Sequence, residues 1–172
     1  MVDSRAYEFE GSSPDVDGDA RVSRESTLVG DVHVGANASV WPGVVLRGDM
    51  APVHVGDGTH VGDNATVHAS WIGDRVMVGH GAVLNEARVE DWSLVGFNAT
   101  INSDVTVGES SVVAAGTVIP EGRDVPPESF VRGVPAQVTP LAETTIDPDA
   151  VFERYSAAEY TDLAGRHGDL FE

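Results

Sequence analysis

At 172 residues the chain is long enough for one domain with a substantial core, and its lack of cysteine excludes disulfides, iron–sulfur clusters and thiol catalysis. The formal net charge is −18 and all 10 basic residues are arginine, so neither nucleic acid nor a membrane is expected as a partner. The carboxylates are dispersed and lysine is absent, a composition that favours a halophilic host with a salt-rich cytoplasm.

The first segment in chain order, residues 1–15, shows no apolar periodicity and is expected to be irregular. It has neither the basic region nor the apolar stretch of a signal peptide, and no run in the sequence approaches the roughly 20 apolar residues of a membrane span. We therefore expect a cytoplasmic protein.

Residues 16–140 form the second predicted segment, in which small aliphatic residues recur at every sixth position. Val22, Leu28, Val34 and Val40 begin the series, and glycine follows many members, as in Val34–Gly35. Neither a helix nor an ordinary strand pair has a period of six, whereas a coil of short strands joined by turns does. The pattern predicts an all-β fold, a parallel β-helix with three faces per turn, of the left-handed type that hexapeptide repeats form.

The spacings assign each inward-pointing residue to one of three faces, with irregular steps from 46 to 55, 67 to 72 and 84 to 89. The first face is predicted to hold Val22, Val40, Val61, Val78, Val95 and Val113. The second holds Leu28, Leu46, Val67, Leu84, Ile101 and Ile119. The third holds Val34, Val55, Ile72, Val89 and Val107. The repeat is expected to stop after Ile119, where a proline-rich stretch begins.

Residues 141–172 are predicted to be a helical segment that packs on the β-helix. Asp147 followed by Pro148 is typical of a helix start. Ser156 and Glu159 have the spacing of a capping box, and Gly165 is a plausible helix stop. One or two α-helices are expected between about residues 148 and 165.

Stacking the repeats places several polar residues in columns. Arg47, His68 and Asn85 each follow an inward residue of the second face, so they should lie one above another. Asp63 and His80 occupy a column beside the first face. Since the two histidines lie on different faces, they can converge only between subunits, and a three-fold assembly would bring the first face of one subunit against the second face of the next.

The stretches "VLRGDMAPVHVGDGTHVGDNATVH" and "VMVGHGAVLNEA" closely resemble the γ-class carbonic anhydrases. The likeness runs from about Val22 to Val138 and includes the exit "VRGVPAQV". The resemblance implies a left-handed β-helix, a homotrimer, and three metal sites that each take two histidines from one subunit and one from the next. It also implies Zn²⁺, Fe²⁺ or Co²⁺ as cofactor, and CO2 and bicarbonate as the small-molecule substrates.

Carried over by position, His68 and His80 match metal ligands and Asn85 falls at the place of the third. Arg47 and Asp63 match an ion pair that joins neighbouring subunits near the site. In such a site three neutral imidazoles leave a fourth position for water and lower its pKa to about 7, and the resulting hydroxide attacks carbon dioxide.

This chain departs from that pattern in several places. An asparagine amide is a weak ligand, so Asn85 should greatly reduce affinity for zinc or iron. Gly62 stands where the family has a glutamine, and Ala87 where it has a cysteine. His60, two residues before Gly62, is a candidate substitute for the third metal ligand. A histidine in such a turn more often only hydrogen-bonds to the backbone or to water.

Three functions therefore stay open. The first is a γ-carbonic anhydrase-like lyase with a subunit-interface metal site and reduced activity. The second is a trimeric structural or binding protein of the same fold that holds no metal. The third is a hexapeptide-repeat acyltransferase, although such enzymes use an anionic coenzyme that suits an acidic surface poorly.

Overall fold

The computed structural model describes residues 5–171, and the chain is a three-sided parallel β-helix followed by short helices. This confirms the predicted fold class. Strands are numbered in chain order. The first face contains β3 (Arg21–Val22), β5 (Ser39–Val40), β7 (His60–Val61), β10 (Met77–Val78), β13 (Leu94–Val95), β16 (Val112–Val113) and β19 (Ser129–Arg132). Two long strands, β4 (Thr27–Val34) and β6 (Val45–Val55), begin on the second face and end on the third.

Shorter strands complete the other two faces. The second face adds β1 (Ala6–Tyr7), β8 (Thr66–His68), β11 (Val83–Asn85), β14 (Thr100–Ile101) and β17 (Val118–Ile119). The third adds β2 (Asp15–Val16), β9 (Trp71–Ile72), β12 (Arg88–Val89), β15 (Thr106–Val107) and β18 (Asp124–Val125). The register pairs each inward residue with its counterpart one coil away, for example Val61 with Val78 and Leu84 with Ile101, so the predicted face assignments are confirmed.

The repeat of coils extends further at both ends than the sequence suggested. Ala6 and Tyr7 pair with Leu28 and Val29, so the expectation of an irregular segment is wrong for this part of it, while residues 1–4 lie outside the described residues. Strand β2 also begins inside the segment, at Asp15. At the other end the repeat continues through Val125 and Val131, both buried, because the prolines flank these strands instead of interrupting them.

The chain leaves the coil through strand β20 (Gln137–Pro140), which pairs antiparallel with β19, and a 3-10 turn at Leu141–Glu143. Three helices follow: α1 (Pro148–Arg154), α2 (Ala157–Arg166) and α3 (Gly168–Phe171). The predicted start at Asp147 is confirmed, because its carboxylate accepts bonds from the backbone N–H groups of Asp149 and Ala150. The predicted side-chain cap at Ser156 is absent, and α2 continues past Gly165 to Arg166.

The helical segment covers the outer side of the first face. Met77, Leu94 and Val112 point outward from that face and are buried in a second apolar cluster with Leu141. Aromatic and aliphatic residues of the C-terminal segment pack against this cluster: Ile146, Val151, Phe152, Tyr155 and Tyr160. The sequence-based expectation that this face docks on a neighbouring subunit is therefore wrong for the strands that the helices cover. None of the helices formed by residues 5–171 is long and apolar enough to cross a lipid bilayer.

Candidate functional site

His68 ends β8 at the corner between the second and third faces. In-register pairing places it between Arg47 on one side and Asn85 on the other, as the column predicted. The step to the next strand is short because Ala69 adopts a left-handed conformation, with φ of 48°. The hydroxyl of Ser70 then donates to the carbonyl of His68 at 2.8 Å and accepts from the N–H of Ala87 at 3.0 Å, which fixes this corner to the next coil.

The imidazole of His68 is bonded on its Nδ1 side to the amide of Asn85. Nδ1 lies 2.9 Å from Asn85 Oδ1, and Asn85 Nδ2 donates to the hydroxyl of Ser103 at 3.0 Å. Because the guanidinium of Arg47 can only donate and lies at Nε2, Nδ1 carries the ring proton and faces the amide oxygen. Both polar atoms of Asn85 are therefore engaged inside the chain.

The Nε2 side of His68 faces Arg47 and Asp49. Arg47 Nη2 lies 3.1 Å and Asp49 Oδ1 lies 3.2 Å from Nε2. The guanidinium needs a lone pair on Nε2 and the carboxylate needs a proton there. With the proton on Nδ1, Nε2 accepts from the nearer guanidinium, and the Asp49 carboxylate takes its hydrogen bond from Arg47. Arg47 Nε also donates to Asp49 Oδ1 at 3.1 Å. Arg47 thus has a carboxylate partner, Asp49, within its own chain.

His80 lies in the turn at the corner between the first and second faces, away from His68. Its Nδ1 is 2.8 Å from Asp63 Oδ2 and 3.0 Å from the backbone N–H of Asp63. These two contacts require opposite states of Nδ1, and the carboxylate at the shorter distance favours a protonated Nδ1, since a charge-assisted bond is the stronger one. The ring also stacks on Phe97, with centroids 5.1 Å apart.

Gly62 explains how the ring of His80 reaches Asp63. A Cβ at this glycine would lie 2.8 Å from His80 Nδ1 and 3.0 Å from His80 N. A side chain at position 62 and the observed position of this imidazole therefore exclude each other. The glycine that replaces a glutamine in the family pattern is what lets His80 lie against its own coil.

His60 is enclosed beneath helix α2. Its side chain is fully buried, its ring lies 4.4 Å from that of Tyr160, and Nδ1 is 3.1 Å from Ser39 Oγ. Burial, followed by the charge of nearby His80, lowers the pKa of His60 from 6.5 to about 3. Its Nε2 has no hydrogen-bond partner among residues 5–171. The structure thus gives His60 a place in the packing of the C-terminal segment, although it lies close to His80, with ring centroids 6.5 Å apart.

These residues do not fit a three-imidazole metal site within one chain. Among residues 5–171 no group of three or more His, Cys, Asp or Glu side chains is placed to hold a metal ion. His68 and His80 occupy different corners, as the sequence predicted. Asn85, at the place of the third ligand, already uses its oxygen on His68 and its nitrogen on Ser103. The sequence did not predict the role of Ser103. In the column of Arg47, His68 and Asn85 the next residue is Asn102, whereas the hydrogen bond to Asn85 comes from Ser103, one residue further along the chain.

The comparisons with known proteins agree with this architecture. Residues 86–120 match the family model described as "Hexapeptide repeat of succinyl-transferase". A solved hexapeptide transferase family protein from Anaplasma phagocytophilum superposes with a TM-score of 0.87 at 30% identity, over 94% of this chain and 97% of that one. The chain is therefore a hexapeptide-repeat protein.

Two curated relatives narrow the family. Gamma carbonic anhydrase 1, mitochondrial, of Arabidopsis thaliana is 37% identical over 166 residues, which cover 90% of this chain and 59% of the relative. Carnitine operon protein CaiE of Escherichia coli is 33% identical over 96% of this chain and 86% of its own length. The chain spans about six-tenths of the plant relative. Within the hexapeptide-repeat proteins, the chain belongs to the γ-class carbonic anhydrase family.

Proposed function

We propose that this protein is a homotrimer of the γ-carbonic anhydrase type that serves as a structural or binding protein and lacks efficient CO2 hydratase activity. The observation that carries the proposal is the double engagement of Asn85, whose amide bonds His68 Nδ1 at 2.9 Å and Ser103 Oγ at 3.0 Å. Zinc enzymes that hydrate CO2 hold the metal with three imidazoles. An amide oxygen binds zinc far more weakly than an imidazole does.

The second face supports the trimer. Its outward column consists of β-branched side chains that are partly or well exposed: Val45, Thr66, Val83, Thr100 and Val118. This face is flanked by the corner with His80, whose side chain is 45% exposed, and by the corner with His68. Packing the second faces around a three-fold axis would bring the His68 corner of one subunit to the His80 corner of the next. Such a boundary would collect two imidazoles and no third.

The remaining groups at the His68 corner oppose a metal ion there. The Nε2 lone pair of His68, which a metal would need, accepts from the guanidinium of Arg47. A divalent cation bound to His68 Nε2 would have to displace the positively charged side chain of Arg47. Its only ligands would then be two imidazoles and water. Arg47, held by Asp49, together with His68 forms a polar corner suited to hydrogen bonding with a partner or a small anion.

The test is CO2 hydration by stopped flow, together with elemental analysis, on protein loaded with Zn²⁺, Co²⁺ or Fe²⁺. Wild-type protein should retain little metal after desalting and show no rate above the uncatalysed reaction. The variant Asn85→His restores an imidazole at the third place and should raise bound metal to about one ion per chain, with measurable hydration. Wild-type protein that holds about one metal ion per chain and turns over rapidly would overturn the proposal.

Acyl transfer is the second candidate. The solved neighbour from Anaplasma phagocytophilum carries the name of a hexapeptide transferase, and His80 with Asp63 at its Nδ1 has the arrangement of an oriented general base. It ranks lower because His80 lies in a tight turn and the net charge of −18 disfavours an anionic coenzyme. A rise of several degrees in melting temperature on adding coenzyme A or acetyl-coenzyme A, absent in Asp63→Asn, would promote it.

A further inference from the structure

A cleft of about 610 Å³ separates the β-helix from the junction of helices α1 and α2. It lies at the corner between the third and first faces, remote from the corners that hold His68 and His80. The turns of successive coils supply Arg75 and Trp92 on one side, and the helical segment supplies Phe152, Tyr155 and Thr161 on the other. A concave space of this size with aromatic walls is typical of a small-molecule site.

Two arginines stack on aromatic rings that line this cleft. The guanidinium carbon of Arg75 lies 4.8 Å from the ring centre of Trp92, and that of Arg154 lies 5.8 Å from the ring centre of Tyr155. Among residues 5–171 neither arginine forms an ion pair with a carboxylate, so their charge is offset by π-faces alone. Of the two, only Arg75 lines the cleft, so the β-helix side combines an aromatic surface with a cation that can bind an external anion.

Trp92 occupies a turn position at which the coil requires a left-handed backbone, a conformation that suits its side chain poorly. Its φ is 56°, in the left-handed region that glycine and asparagine tolerate and a bulky aromatic residue rarely adopts. The equivalent turn positions of other coils, Asn37, Gly58, Arg75 and Ser110, also have positive φ, so the turn itself imposes this conformation on whichever residue occupies it. Trp92 is also 48% exposed, so little burial offsets the strain. A strained, half-exposed indole at the rim of a cleft suggests a role in binding.

The acidic lining of the cleft limits the charge of its ligand. Asp57 lies at the edge, and its Oδ1 accepts the backbone N–H of Ala36 at 2.9 Å. That bond directs one oxygen toward the coil but leaves a negative charge nearby, which opposes a doubly charged phosphate more than a singly charged carboxylate. The hydroxyl of Ser156, which lines the cleft and does not cap α2, offers a polar contact.

From these features the geometry points to a binding site for a small aromatic carboxylate. The flat ring stacks against the indole of Trp92 and the side chains of Phe152 and Tyr155. The carboxylate pairs with the guanidinium of Arg75. Stacking on the aromatic side chains provides affinity for the ring of the ligand. The guanidinium of Arg75 provides the preference for an anion. This inference does not depend on the metal chemistry of the histidine corners.

Isothermal titration calorimetry of the full chain with 2-naphthoate tests the site. We expect saturable binding that Arg75→Gln weakens about tenfold or more. The matched control is Arg132→Gln, which removes an equal charge from an arginine that stacks on Phe130 at 5.9 Å, outside the cleft; it should change the affinity by less than about twofold. Equal weakening by both variants, or no binding at about 10 mM ligand, would overturn the site.

Ligand analogues separate the parts of the proposal. Cyclohexanecarboxylate has the same charge without a flat ring and should bind at least about tenfold more weakly than 2-naphthoate. Adenosine monophosphate tests the alternative of a phosphate. If it bound more tightly than 2-naphthoate, the assignment to a carboxylate would be wrong.

Trp92→Asn distinguishes binding from folding. Asparagine tolerates positive φ, so this variant should melt at the same temperature as the wild type or higher, while its affinity for 2-naphthoate falls about tenfold or more. A melting temperature several degrees lower would show that Trp92 is retained for stability and would contradict the role given to it.

Discussion

The imidazole of His68 and the amide of Asn85 are hydrogen-bonded partners one coil apart, with 2.9 Å between Nδ1 and Oδ1. Because Arg47 donates to Nε2 of the same ring, the proton of His68 lies on Nδ1 and the amide presents its oxygen to it. We expect nitrogen-15 NMR of the metal-free protein near neutral pH to show His68 as the Nδ1–H tautomer. In Asn85→Ala this preference should weaken, and the free energy of unfolding should fall by about 1 kcal/mol.

Ser103, whose hydroxyl bonds the amide of Asn85, provides a control variant for Asn85→Ala. Ser103→Ala removes the hydroxyl that anchors Asn85 Nδ2 while it keeps the amide beside His68, so a smaller loss of tautomer preference is expected than in Asn85→Ala. An Nε2–H tautomer in the wild type would contradict the bonding pattern of this column.

Acid should destabilise the protein through His60. The folded state holds this imidazole with a pKa of about 3, whereas an unfolded chain binds the proton near 6.5. The contribution to stability is therefore complete above about pH 7 and is lost as the pH falls from 6.5 toward 3, because only the unfolded state takes up the proton. Between about pH 7.5 and pH 4 the loss from His60 amounts to about 3 kcal/mol.

Urea unfolding at the two pH values measures this effect. His60→Gln should show a smaller loss on acidification than the wild type, by about 3 kcal/mol. Ser39→Ala is the control, since it removes the hydroxyl at 3.1 Å from Nδ1 and leaves the imidazole in place, so its loss should stay close to that of the wild type. Equal pH dependence in His60→Gln and the wild type would show that His60 is not held neutral.

The sequence predicted the coil well because each turn repeats one local rule. An aliphatic residue such as Val78 or Leu84 occupies the same place in every coil, so a period of six determines both the face and the register. The same rule predicts that Arg47, His68 and Asn85 share one column, and the strand register confirms it. The faces, the register and the polar column could be predicted because all three follow from the repeat.

The contacts that break the repeat were not predictable. Asp49 lies in the irregular step of β6, and its bonds to Arg47 and His68 depend on how that step folds. The burial of His60 comes from α2, which is distant in sequence and covers the first face through tertiary packing. The cleft beside Trp92 needs both the coil and the helices, and no single stretch of sequence describes it.

Gly62 should be intolerant of a side chain because of His80. In Gly62→Ala the new Cβ would lie 2.8 Å from His80 Nδ1 and 3.0 Å from its backbone N, so the ring or the turn must shift. Overpacking of this kind typically costs about 1–3 kcal/mol. Gly18→Ala is the control, since a Cβ there meets no atom within 4 Å. Thermal unfolding of both variants should show a clear loss only for Gly62→Ala; equal melting temperatures would contradict the contact.

The two helix starts in the C-terminal segment should differ in their sensitivity to mutation. Asp147 caps α1 through bonds to the N–H groups of Asp149 and Ala150, at 3.1 and 3.3 Å, so Asp147→Ala should cost about 1 kcal/mol of local stability. Ser156 makes no side-chain cap at α2, so Ser156→Ala should cost much less. Hydrogen exchange of α1 and α2 amides reports each helix separately, and a larger effect from Ser156→Ala would reverse the assignment of the caps.

Salt should stabilise the protein strongly, because a net charge of −18 on 172 residues leaves the folded state under self-repulsion. Raising KCl from about 0.1 M to about 1 M shortens the screening length from about 10 Å to about 3 Å, which weakens repulsion between surface carboxylates. We expect the melting temperature to rise steeply over this range. The same titration near pH 4, where many carboxylates are protonated, should give a smaller rise. A melting temperature that stays constant with KCl at neutral pH would show that the carboxylates do not repel one another appreciably, and the inference of a salt-rich habitat would lose its physical basis.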